Sequence, residues 1–145
     1  MSKSDAMENG QLELFFKNTA FANVGDAGGL PQSVAPGSLY FSLHTADPGE
    51  AGTQLTNEIA YTSYARVAVA RSGAGFTVTD NQVFPAAVVT FPAGTGGSGT
   101  ATHFGVGTAA SGAGILLYSG TLSPTIVCGS GVTPQLSTAT SITEE

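Results

Sequence analysis

Hydrophobic positions along this chain change period near residue 38, from a helical stripe before it to short runs broken by turn-forming residues after it. Leu12, Phe15 and Phe16 recur at helical spacing, with Thr19 extending the same face. Ser4 or Asp5 can cap the start of this helix, and Glu8 stands three residues after Asp5 as in a capping box. Gly10 weakens the helix by about 1 kcal/mol relative to alanine. The stretch 23–37 contains Gly25, Gly28, Gly29, Pro31 and Pro36, a composition that predicts an extended linker. Helix and linker together, residues 1–37, are expected to form an arm that folds back on its own domain or reaches a neighbour.

Strand signals follow. Ser38–His44 is a compact apolar run, and Tyr64–Arg71 alternates, with Ala65, Val67 and Val69 on one face and Arg66, Ala68 and Ala70 on the other. Gly73 and Gly75 interrupt before Phe76–Thr79, and Asp80-Asn81 reads as a turn. Further strands are expected at Ala87–Phe91, Ala101–Val106, Ile115–Tyr118 and Thr125–Val127. A closing strand should carry Leu136, Thr138, Thr140 and Ile142 on one side. About eight closely spaced strands predict a mainly β protein, a single β-sandwich or jelly-roll-like domain over 38–145. Alternation gives strands without their order, and no internal repeat of sequence accompanies them.

Composition sharpens this picture. Hydrophobic residues make up 41% of the 145, while charged residues are only 10%, well below the usual quarter. The net charge is −6, and the four cations (Lys3, Lys17, Arg66, Arg71) form no basic stripe. Nucleic-acid binding would need clustered cations to release phosphate counterions, so that class is excluded. Every charged residue lies before Asn81 except Glu144 and Glu145. A stretch without charge from 81 to 143 points to a surface largely covered by neighbours, the alternative being a neutral polar surface that faces water. No run of 18 apolar residues occurs, and the polar N-terminus has no signal core, so neither membrane insertion nor export is expected. Synthesis and use in the cytosol, or inside something assembled there, is the expectation.

Chemistry-bearing residues are sparse. His44, Asp47 and Glu50 are spaced three apart, but Pro48-Gly49 forces a turn, so they do not share a helical face. In that turn Asp47 should accept a hydrogen bond from the backbone two residues on. His103 sits in a strand with no acid nearby in sequence to orient it as a base. The string Gly94-Thr95-Gly96-Gly97-Ser98-Gly99 matches GxGxxG but precedes a strand, whereas dinucleotide binding needs a helix there. Cys128 ends an apolar run and reads as a small buried hydrophobe. Neither catalytic residues, a metal site nor a cofactor is therefore expected, and the chain reads as a non-enzymatic structural module.

Several segments nevertheless form a pattern. Leu39-Tyr40-Phe41-Ser42-Leu43-His44-Thr45-Ala46-Asp47-Pro48-Gly49-Glu50 resembles the LYxSLHTADPGE signature of a family of small tailed-bacteriophage virion proteins. Ala60–Val69, Thr90–Ala93, Ala101–Ala109 and Gly114–Leu122 follow in that family's order, so the resemblance covers about 38–143. It implies a virion protein without catalytic residues, made in the bacterial host cytoplasm. The leading expectation is a capsid cement, or decoration, protein on the phage head. It would bridge major capsid protein subunits, as a homo-oligomer (dimer or trimer), and gain avidity from several contacts. Leu12, Phe15 and Phe16 are the expected interface residues, with docking on the protein's own sandwich as the alternative, while Asp47, Pro48 and Gly49 are expected to be a structural turn. A tail-fibre or tail-associated protein is the second reading, against which stands the lack of heptads or a shaft repeat. A host carbohydrate-binding module is third, disfavoured by the absence of Trp.

Overall fold

A computed structural model describes residues 2–145. One helix and nine strands make the chain mainly β, with antiparallel sheets consistent with a β-sandwich. The elements are α1 (Asp5–Lys17), β1 (Ser38–His44), β2 (Val67–Ala70), β3 (Phe76–Thr79), β4 (Gln82–Pro85), β5 (Val89–Thr90), β6 (Ser98–Gly107), β7 (Leu116–Gly129), β8 (Gln135–Leu136) and β9 (Ile142–Thr143). They fall into two compact units, neither of which is one continuous stretch of chain. Residues 1–38, 69–88 and 137–145 make the first, and residues 39–68 and 89–136 the second. The N-terminal helix shares the first unit with β3, β4 and β9.

In the first unit Ser4 is the N-cap of α1, its hydroxyl accepting from the Met7 amide, so the expected Asp5–Glu8 capping box is not the device used. Asn18 ends the helix in the left-handed conformation, and Lys17 pairs with Glu13 in the last turn. Leu12 and Phe16 are buried, and the Phe16 ring meets Phe76 edge-on at 5.0 Å between centroids. Beneath the helix β3 and β4 form a hairpin around Asp80-Asn81, with Thr79 opposite Gln82 and Asp80 at φ +52°. β9 joins β4 through Gln82↔Thr143 and Val83↔Ile142.

The region expected to be an extended linker is a closed loop. Phe21 and Leu30 exchange backbone hydrogen bonds, and Asp26 accepts from the Gly28 and Gly29 amides. Gly29 has φ +67°, and a Cβ there would lie 2.0 Å from the Phe21 carbonyl oxygen, so only glycine permits the closure. Arg71 fixes the loop's far end by donating to the Phe15, Leu14 and Pro36 carbonyls.

The second unit holds β6, β7, nearly all of β1 and the first half of β2 from a sheet ordered β2-β1-β6-β7, together with a two-stranded β5-β8 ladder. β1 pairs with β6 from Tyr40↔Gly107 to His44↔His103. Leu39, Phe41 and Leu43 fill one side of β1, and the core continues through Ile59, Tyr61, Phe91, Phe104 and Val106. Ser42 and His44 point to the other side yet are also buried, because the segment 45–66 covers it. β7 is one strand where two were expected, and the expected last strand is two short ones. Ser137 interrupts the latter by accepting from the Ala139 and Thr140 amides in a turn. β2 is shorter than expected because Tyr64 and Arg66 turn their polar ends to Glu58.

Candidate functional site

Beneath the segment 45–66, β1 supplies a Ser-x-His pair. The Nδ1–H of His44 donates to the Thr56 carbonyl at 2.8 Å, which leaves Nε2 as an acceptor for the Ser42 hydroxyl, also at 2.8 Å. Burial lowers the His44 pKa below its ordinary 6.5 and keeps the ring neutral. The pair has the polarity of a nucleophile and its base, but neither side chain reaches solvent. A Cβ on Gly105 would lie 2.7 Å from both the Ser42 Oγ and the His44 Nε2, so no substrate atom fits between them. Chemically the pair is a satisfied polar plug.

A second buried group lies alongside. Arg66 donates from Nε and Nη2 to the two Glu58 carboxylate oxygens, each at 2.7 Å. Its Nη1 and Nη2 also reach the Ala109 and Gly112 carbonyls, at 2.9 and 2.7 Å. The Arg66 side chain is 2% exposed and Glu58 11%, so this is a desolvated, bidentate ion pair. The Glu58 hydrogen bond raises the Arg66 pKa further. Tyr64 donates its hydroxyl to Glu58 and accepts from the Leu43 amide, and burial pushes its pKa far up. Gln54 completes the cluster by accepting from the Ala109 amide. Four remote segments are thus clamped by groups that sequence reading treated singly. The available signal was Arg66, a lone charge inside an alternating apolar run.

The residues singled out in sequence are dispersed. Leu12 and Phe16 are buried within their own unit, so of the expected interface stripe only Phe15, 40% exposed, faces outward. Asp47, Pro48 and Gly49 form the expected turn, with the Asp47 Oδ1 accepting from the Gly49 amide at 2.9 Å and Gly49 at φ +70°. His103 is bracketed by the hydroxyls of Thr102 and Thr121. Cys128 is buried, and that burial raises its thiol pKa. The glycine-rich string serves close chain approach: a Cβ on Gly94 would lie 2.1 Å from the Gly129 carbonyl oxygen. Among the described residues no group of three or more His, Cys, Asp or Glu side chains is placed to hold a metal ion.

What the second unit does present outward is the last strand of its sheet. β7 pairs with β6 on one side and is terminal in the sheet order. Leu117 and Val127 are exposed along it, Ile115 is exposed just before it, and none of its residues is charged. Leu117 is the extra residue of a bulge between Val106↔Tyr118 and Gly107↔Leu116. A cavity of about 380 Å³ runs beside this stretch, lined by Leu116 to Ser119 and by Asp47, Gly49 and Glu50 of the turn.

A search of curated proteins returned no match. A family model described as "Podophage GP4 fiber I protein gp80" matches residues 2–141, nearly the whole chain. Because that match spans well over half of the chain, the chain belongs to this Podophage GP4 fiber I protein gp80 family of phage virion proteins.

Proposed function

We propose that this chain is a non-catalytic structural subunit of a podophage tail fibre. The observation that carries the reading is the family match over residues 2–141, whose description names a fibre. The family description favours the tail-fibre reading over the head-cement role expected from sequence, and on that reading we take a fibre or tail protein, rather than the major capsid protein, as the partner. The geometry supports a structural role, since the Ser42–His44 pair is shut from solvent and the largest polar cluster clamps loops together. Among the described residues a nucleic-acid partner finds each Lys and Arg engaged: Lys3 pairs with Glu144, Lys17 with Glu13, Arg66 with Glu58, and Arg71 with backbone carbonyls. A sugar platform is disfavoured because Tyr61 is buried and the Tyr64 hydroxyl is committed.

Labelling intact particles with gold-tagged antibody to this chain tests the proposal. Gold on fibres at the tail supports it. Gold spread in regular copies over the head would overturn it and restore the cement role.

A further inference from the structure

We propose that the outer edge of β7 between Leu116 and Thr121 accepts an extended segment of a partner protein as an added strand, with a lysine or arginine of that segment entering the cavity beside Asp47 and Glu50. This deepens the fibre reading by naming the kind of partner, and its test in solution does not depend on where the chain sits on the particle.

Three observations carry it. First, four consecutive residues of β7 line the same cavity. Side chains of a regular strand alternate between faces, so a groove lined by successive residues follows the backbone edge, helped by the bulge at Leu117. Second, an open edge offers a row of amides and carbonyls that another strand satisfies, and the usual protections are weak here. No residue of β7 itself is charged, and apolar Leu117 stands exposed on it, with exposed Ile115 just before it. The irregularity between Ile126 and Thr121 limits the added strand to the first half of β7.

Third, charge selects the occupant. Glu50 is exposed and makes no hydrogen bond or ion pair among the described residues, while Asp47 spends one oxygen on its own turn. All four cations of the chain are already engaged internally. A second copy would therefore bring a net charge of −6 and no free cation to this groove. A partner carrying a basic residue at alternate positions complements both the edge and the carboxylates.

The isolated chain, isotope-labelled, is titrated with a synthetic peptide alternating lysine with threonine and valine, and amide shifts are followed by NMR. Expected are shifts confined to 116–121 and 47–50, with affinity about two- to fivefold weaker in Glu50→Lys and intermediate in Glu50→Gln. Equal binding of a peptide with glutamate in place of lysine overturns the charge selection, and shifts elsewhere overturn the site. Concentration-dependent dimerisation that shifts the same amides without peptide assigns the edge to a second copy and overturns the proposal.

Discussion

Replacing Arg66 by alanine tests whether the Glu58–Arg66 pair holds the second unit together. The change removes two charge-assisted bonds to Glu58 and two to the Ala109 and Gly112 carbonyls. Glu58, 11% exposed, is left with Tyr64 as its hydroxyl donor. Breaking a buried pair from one side costs about 3–5 kcal/mol, because a desolvated charge remains without its counterion. That is a large part of the ~5–15 kcal/mol that stabilises an ordinary domain. At about 2.1 cal/mol/K per residue of unfolding entropy, each kcal/mol lowers Tm by about 3 °C, giving a fall of about 10–15 °C. Urea unfolding followed by tyrosine fluorescence and circular dichroism measures it, the chain having no Trp. The double variant Arg66→Met with Glu58→Leu should recover most of the loss, since both charges then disappear together. A cost below about 1 kcal/mol for Arg66→Ala, or simple additivity in the double-mutant cycle, would refute the clamp.

Four further outcomes are expected. His44 has a folded pKa below its unfolded 6.5, so its contribution to stability is complete above pH 6.5 and is lost as pH falls through the folded value; urea midpoints at pH 7.5 and 5 should differ more in the natural chain than in His44→Gln. Gly105→Ala should destabilise by about 1–3 kcal/mol, because the added methyl collides with Ser42, His44 and Leu116, and thermal unfolding reads the loss. Phe16→Ala should cost about 3–5 kcal/mol and Phe15→Ala under about 1, a contrast in urea midpoints that separates core from surface on one helix. Cys128 should resist a thiol reagent in the folded chain and react on denaturation, as expected of a buried thiol whose pKa is raised.

Local pattern made much of this fold legible. Ser38–His44 and Phe76–Thr79 were readable to the residue because each run is bounded by a turn signal, and Asp47-Pro48-Gly49 announced its own hydrogen bond. β4 escaped because Gln82–Pro85 is short and ends in proline, and its strand character comes from pairing with β3 and β9. The loop 21–30 looked extended because glycine and proline mark a break without saying whether the ends meet; the Phe21–Leu30 bonds decide that. The polar cluster was the least visible part. Ser42, Gln54, Glu58, Arg66 and Ala109 are each unremarkable locally, and long-range pairing alone brings them together. Charge neutrality from 81 to 143, by contrast, was plain in sequence, and β7, terminal in its sheet, lies wholly within that stretch.

The order of synthesis meets an obstacle in the way the first unit is threaded. Its helix is made well before the strand that closes its sheet, β9, and the Glu144 that pairs with Lys3. The β4–β9 ladder, the bond from the Glu144 amide to the Asn81 carbonyl and that from the Asn81 side-chain amide to the Glu144 carbonyl cannot form until those residues have been made. During translation the apolar side of α1, Leu12 and Phe16, therefore waits for β3 and β4, and the unit is completed only once residues 137–145 have been made. A deletion or bulky fusion at the C-terminal end should thus injure the N-terminal helix first, although some 125 positions separate them in sequence.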